Sequence, residues 1–335
     1  MNRITRFTMI MASAAMVMGC ADRNREKVPA INLSDLDTTC SPAVDFYQYA
    51  TGGWQKNNPL KPEYARFGSF DILNENTENR LNELFKEMTE MKTAKGTVEQ
   101  KISDIYKMGL DSARLNAEGF APVQKYLDQV YAVNDKASLV KLVADMHNEG
   151  LSPFFGAFVM ADLMNSDMQI LYLTQSGLGI GDRDYYLDPA SAEIKQGYLN
   201  FLTRVFGLAG VPEPEKAAAN ALDVETQIAT ASWTRVQERD MEKIYNPTNT
   251  PALEKAYDGF DFTSYFAARN IADQDKLVVC EPSFFEAFSK YFAEADINVL
   301  KDYLAGQLIQ DACGAVSDDF YDASFDFFSK HESQY

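Results

Sequence analysis

Apolar residues recur at intervals of three and four over most of this chain, and that period commits it to helices. Leu81, Leu84, Phe85 and Met88 fall on one face. Val98, Ile102, Ile105, Tyr106 and Gly109 repeat the pattern after a break at Lys95-Gly96-Thr97. Val123, Tyr126, Leu127 and Val130 make a third stripe, with Pro122 suited to a first helical turn. Residues 138–148 predict a short helix closing near Gly150, and further helices are predicted over 191–206, 260–268, 283–293 and 297–316. The stretch 217–239 holds neither Pro nor Gly and predicts one long helix.

The period changes once. Residues 154–160 and 168–173 are rich in β-branched, aromatic and other apolar side chains, separated by the turn-forming ADLMNSD. They predict one β-hairpin in an α-rich chain. Residues 277–280 (LVVC) fit a short strand or an extended connector. Gly177, Gly179 and Gly181 then space a loop. It lacks the Lys-Ser/Thr or the strand-loop-helix context of a phosphate loop, and Asp182-Arg183-Asp184-Tyr185-Tyr186 follows it. Nucleotide binding is not expected.

A formal charge of -18 with no long basic run excludes nucleic acid as a partner and disfavours docking on anionic lipid. At 46% apolar residues the chain is globular rather than disordered. Arg3 and Arg6 precede the short apolar stretch 7–18, which is too short to span a bilayer. Val17-Met18-Gly19-Cys20 then resembles a bacterial lipobox. The expectation is a lipoprotein signal peptide over 1–19, lipid on Cys20, a tether over 20–36, and a bacterial cell-envelope location on the periplasmic or cell-surface side. Cys40, Cys280 and Cys313 remain. An export compartment permits a Cys280–Cys313 disulfide, and buried free thiols fit equally well.

The run 45–73, DFYQYATGGWQKNNPLKPEYARFGSFDIL, is dense in aromatics for a surface segment. It predicts a helix, a break at Gly52-Gly53 near Trp54, a Pro-bounded loop and a second helix start. Asp45-Phe46-Tyr47-x-Tyr49-Ala50 with Gly53-Trp54, continued by Arg66-Phe-Gly68-x-Phe70-Asp71, resembles the opening motif of the neprilysin family of zinc metallopeptidases. His147-Asn-Glu-Gly150, Leu171-x-Leu173-x-Gln175-x-Gly177-Leu178 and Asp182-Arg183-Asp184-Tyr185-Tyr186-Leu187 resemble its next block. Ala229, Trp233, Glu238-Arg239-Asp240 and Tyr245-Asn246-Pro247 resemble a third. The match covers nearly all of 37–335. The resemblance implies a multi-helical N-terminal lobe of a two-lobed enzyme that cleaves oligopeptides, with zinc in the full-length family held by an H-E-x-x-H helix in the C-terminal half.

Two His at i and i+4 are needed to place both imidazoles on one helix face. This chain has two His altogether, and they lie far apart. His331-Glu-Ser-Gln-Tyr335 starts like the motif, but Tyr335 stands in place of the second His. No catalytic or metal-ligating residue is expected here, and His147 is expected to be structural. By resemblance, Arg66 pairs with the terminal carboxylate of a bound peptide and Asp71 orients it or contacts the peptide. The alternative is an Arg–Asp pair at a helix start, where Asp71 favours the helix dipole. Asp182 to Tyr186 and Glu238 to Asp240 are expected to be satisfied ion-pair turns.

Three functions are open at this stage. One is an inactive N-terminal part of a membrane-anchored zinc endopeptidase that needs its catalytic half. Another is a non-catalytic peptide-binding or scaffold lipoprotein. The weakest is a carboxylate-based glycosidase, for which no paired carboxylates can be placed in one cleft. Phe320, Tyr321, Phe325, Phe327 and Phe328 crowd the last residues and are costly to leave in water. They lead us to expect a chain truncated within a domain.

Overall fold

The computed structural model describes residues 30–61, 64, 66–271 and 273–329. The expected signal peptide, Cys20, most of the expected tether and His331 lie outside the described residues. The chain forms two compact units, Met1–Phe67 and Gly68–Tyr335.

In the first unit a short 3-10 turn, Leu33–Asp35, precedes helix α1, Phe46–Asn57. In the second unit helices α2 (Ser69–Glu90), α3 (Val98–Leu110), α4 (Ser112–Glu118), α5 (Ala121–Ala132) and α6 (Lys136–Asn148) come first. Strands β1 (Phe155–Asp162) and β2 (Asn165–Gln175) follow. Helices α7 (Asp184–Leu187), α8 (Ala192–Leu208), α9 (Pro214–Ala231) and α10 (Arg235–Glu238) lead to strand β3 (Asn246–Thr248). Then come α11 (Thr250–Ala256), α12 (Phe262–Ala268), β4 (Leu277–Val279), α13 (Pro282–Glu294), α14 (Ile297–Ala312) and α15 (Asp318–Ser324). No helix among the described residues is long and apolar enough to cross a membrane.

The fold is mainly α, but the hairpin belongs to a larger sheet. β1 and β2 pair antiparallel from Phe155↔Gln175 to Ala161↔Gln169. β4 then joins β2 in parallel and β3 joins β4 antiparallel, in the order β1-β2-β4-β3. Strand β4 falls where 277–280 fitted a short strand, whereas the three-residue β3 carries too little pattern to be seen in sequence. Alternation sorts the two faces. Leu171, Leu173, Leu277 and Val279 enter the main core. Ile170, Tyr172, Val278 and Cys280 pack with Ile244 and Tyr245 on the other side.

Aromatic rings fill the core. Phe155 lies within 6 Å of Phe260, Phe262, Tyr265, Phe285 and Phe288, centroid to centroid. Phe154 has φ 66°, a region that bulky L residues avoid. Its conformation is held by packing on Phe288, Phe292 and Tyr303 and by a Phe154 N–H bond to the Tyr303 hydroxyl at 2.9 Å. That hydroxyl donates in turn to the Gly177 carbonyl at 2.9 Å. At Gly177, φ is +93° and a Cβ would sit 2.4 Å from the Tyr303 hydroxyl. Gly179 is likewise closed off by Tyr198. Gly177 and Gly179 therefore serve close packing, whereas Gly181, at φ +82°, has open space around it.

Several expectations need correction. The predicted helix over 217–239 is two helices. Backbone at Ser232 turns extended (ψ 144°), and the Trp233 N–H bonds to the Gln175 side chain at 2.6 Å instead of continuing the ladder. Thr234 and Gln237 then form a capping box that starts α10, a signal present in the sequence. The stripe on α2 does not reach a core. Leu81 and Leu84 stay exposed, and on the facing helix Val98 and Ile105 are 68% and 71% exposed. The pair is joined through contacts such as Phe85 against Tyr106 at 5.5 Å. Cys280 and Cys313 are free, as is Cys40. Burial pushes both the Cys280 and Cys313 thiols up to about 12, so they act as small apolar groups. Finally, the tail aromatics divide, with Phe320 and Phe327 buried and Tyr321 and Phe325 left 54% and 47% exposed. Phe320 stacks on Phe120 at 5.3 Å and Phe327 on Phe201 at 5.7 Å, and both are buried.

Candidate functional site

The opening run builds the first unit. Asp45 caps α1 by accepting from the Gln48 N–H at 2.9 Å. Gly52 and Gly53 do not break the helix, as the sequence suggested. A Cβ on Gly53 would stand 2.3 Å from the Ser34 carbonyl oxygen, and one on Gly52 would meet Asp37 at 2.7 Å. The glycines let the preceding 3-10 segment cross the helix at backbone distance. Beyond α1, the Phe67 ring stacks on Trp54 at 6.4 Å and meets Tyr64 at 5.1 Å. The Lys61 ammonium lies 5.2 Å from the Phe67 ring and 5.6 Å from Tyr64. Arg66, next to Phe67 in the chain, is exposed.

Asp71 starts the second unit. Its Oδ2 accepts from the Gly68 N–H at 2.6 Å, and it occupies the first turn of α2. This is the helix-start role weighed for Asp71. The two predicted site residues thus fall in different units, Arg66 in the first and Asp71 in the second.

The later motif blocks converge in the second unit on two buried carboxylates that sequence reasoning missed. Glu225 lies on the inner face of α9 among Ala218, Ala221, Leu222, Val224, Ile228 and Ala229. Its carboxylate accepts from the Tyr186 hydroxyl (2.5 Å), the Gly179 N–H (3.1 Å), the Tyr198 hydroxyl (3.0 Å) and the Gln307 amide (3.1 Å). Loss of solvent outweighs these bonds and raises its pKa from 4.5 to about 7. A Glu on an otherwise apolar helix stripe was the available signal. Glu281 is the second. It accepts from the Gln175 N–H at 2.8 Å and the Thr174 hydroxyl at 3.1 Å, and burial pushes it up to about 7, with the Glu238 charge adding to the rise.

Gln175 joins the blocks. Its side-chain amide donates to Glu238 at 2.7 Å and to the Trp233 carbonyl at 3.1 Å. In the neighbouring turn Asp182 pairs with Arg235, while Arg183 Nε donates to the Ala229 carbonyl at 3.2 Å. Tyr186 is buried and Tyr185 is exposed. Asp240 pairs with Lys243 at 2.8 Å. Gln175, Asp182, Arg183, Trp233, Arg235 and Glu238 line a polar pocket of about 300 Å³.

His147 does not fit a zinc ligand. Its Nε2 faces the Pro153 carbonyl at 3.0 Å and so carries the proton, while Nδ1 accepts from the Tyr265 hydroxyl at 2.5 Å. Both nitrogens are engaged, and burial lowers its pKa to about 4. Among the described residues no group of three or more His, Cys, Asp or Glu could hold a metal ion. The described residues do not fit the zinc that the resemblance implies for the full-length family.

The sequence model of peptidase family M13 matches residues 42–334. Human endothelin-converting enzyme 1 is 27% identical over 311 residues, which take in 88% of this chain and 40% of that protein. Human membrane metallo-endopeptidase-like 1 is 23% identical over 325 residues, 88% of this chain and 41% of that protein. The crystal structure of Mycobacterium tuberculosis zinc metalloprotease Zmp1 with an inhibitor superposes with a TM-score of 0.84 at 25% identity, covering 90% of this chain and 47% of that one. PepO of Lactobacillus rhamnosis shares the fold at a TM-score of 0.70 and 17% identity, covering 87% of this chain and 46% of its own. The chain therefore spans less than half the length of each of these relatives.

Proposed function

This chain belongs to peptidase family M13, a family of zinc metallopeptidases, and from that premise we propose that it forms the wall of a peptide-holding cavity in an endopeptidase acting on oligopeptides. The superposition on an inhibitor-bound zinc metalloprotease over 90% of the chain carries this reading. The zinc and its ligands are supplied by a catalytic half outside these 335 residues, and the chain alone does not hydrolyse peptides. The exposed apolar residues of α2 and α3 fit a surface that meets such a partner. Arg66, exposed and next to Phe67 in the chain, takes the terminal carboxylate of the peptide through charge-assisted bonds. Asp71 acts by fixing the start of α2 and so the chain leading from Arg66.

We also propose that Cys20 is lipidated and that the protein is held in a bacterial cell envelope. The support is the basic Arg3 and Arg6, the apolar stretch and Gly19-Cys20. Cys20→Ser should abolish the lipid mass on the mature N-terminus.

The test of the binding role uses an enzyme that joins this chain to a zinc-bearing half. A charge-assisted contact is worth about 1.5–3 kcal/mol, or roughly 10- to 100-fold in affinity. Arg66→Met should raise KM by that factor for peptides with a free C-terminus and leave C-terminally amidated peptides nearly unchanged. Equal effects on both would remove Arg66 from the site.

A further inference from the structure

We propose that the pocket of about 300 Å³ in the second unit binds a small zwitterion of the amino-acid or dipeptide class. That such a molecule is also what a peptidase releases rests on the function proposed above; the binding itself does not.

The pocket carries one available pole of each sign. Arg183 supplies the positive one. A single bond from Nε to the Ala229 carbonyl fixes the guanidinium, while its terminal nitrogens come no nearer than 3.9 Å to the Asp184 carboxylate. The planar fork is thus oriented with donors left for a carboxylate. Glu238 supplies the negative pole. One oxygen is held by the Gln175 amide at 2.7 Å, and the other has no hydrogen-bond donor among the described residues. Buried Glu281, bonded to the backbone of the same Gln175, has no cation paired to it among the described residues.

The other lining charges cancel, since Asp182 is paired with Arg235. Trp233 provides an apolar wall whose position is fixed by Nε1 to the Ser283 hydroxyl at 2.7 Å and by its own N–H to Gln175. An inorganic anion would use Arg183 alone, and a simple amine Glu238 alone. A molecule with an ammonium and a carboxylate uses both. The volume is at the small end of ligand pockets, about 300–1,000 Å³, which suits one or two residues and not a long peptide.

The experiment is titration of the purified full chain with glycyl-leucine, N-acetyl-glycyl-leucine and glycyl-leucine amide, followed by calorimetry or ligand-detected NMR. Saturable glycyl-leucine binding is expected, weakened roughly tenfold or more by blocking either end, as loss of one charge-assisted contact requires. Glu238→Gln should weaken glycyl-leucine but not its acetylated form, and Arg183→Gln should weaken it but not the amide. No saturable binding of glycyl-leucine, or equal binding of all three, overturns the proposal. The ligand series is read on the unmodified chain, so a variant that fails to fold leaves the test intact. No turnover is measured, so failure here is separate from failure of the peptidase reading.

Discussion

Glu225→Gln isolates the energetic cost of the buried carboxylate at the centre of the second unit. Glu225 is acidic with a folded pKa raised from 4.5 to about 7. Below pH 4.5 both folded and unfolded chains carry the proton. Between 4.5 and 7 the unfolded chain gives it up first, so stability falls as pH rises through this window. For this one group the loss between pH 5 and pH 8 is about 2–3 kcal/mol. The facing groups are the Tyr186, Tyr198 and Tyr303 hydroxyls, whose own pKa values are pushed up by burial and by the same carboxylate, and they stay neutral throughout. Gln keeps the shape and drops the charge. Placed with its amide toward Tyr198, it lets that hydroxyl accept and donate to Gln310 at 2.8 Å, leaving only the Gln307 contact mismatched, a loss of about 1 kcal/mol. In urea unfolding at a series of pH values, the variant should be slightly less stable than the parent at pH 5 and more stable by about 1–2 kcal/mol at pH 8. The difference between the two proteins cancels Glu281, which shifts in the same direction. A difference that is flat from pH 5 to pH 8 would refute the assignment of a perturbed Glu225.

Glu225→Ala, by contrast, strands four buried donors and should lower stability by at least about 3 kcal/mol at any pH, read by thermal or urea unfolding. Gly177→Ala places a Cβ against the Tyr303 hydroxyl at a φ of +93° and should cost about 2 kcal/mol or more; an unchanged melting temperature would show that the Phe154 turn is not so constrained. The His147 imidazole, with a pKa lowered to about 4, should show no titration in NMR between pH 5 and 8, and its contribution to stability should be lost as pH falls below about 6.5. A midpoint near 6.5 would contradict its burial. Cys280 and Cys313 should resist thiol reagents in the native chain and react once it is unfolded, whereas a disulfide would leave both unreactive in denaturant.

The helical class was legible because periodic apolar stripes such as Val123, Leu127 and Val130 reach a core. The α2 stripe was equally periodic, yet Leu81 and Leu84 remain exposed, because period reports a face and not what covers it. The break at Ser232 was hidden because Gln175, remote in sequence, captures the Trp233 N–H. Strands β3 and β4 are three residues each and exist through pairing with β2 and with each other. The capping role of Asp71 was readable from its place in a first turn. Glu225 and Glu281 were missed because their partners, Tyr186, Tyr198, Gln307 and Gln175, come from four separate stretches. Gly52 and Gly53 misled because a glycine pair that breaks a helix and one that admits a crossing backbone look alike in sequence.

The central claim is that this chain supplies a cavity wall and takes its metal chemistry from elsewhere. Purified full chain, equilibrated with zinc and then freed of loosely bound metal, should retain far less than one equivalent and should not cleave a quenched oligopeptide. Stoichiometric zinc together with chelator-sensitive cleavage by the chain alone would contradict the account.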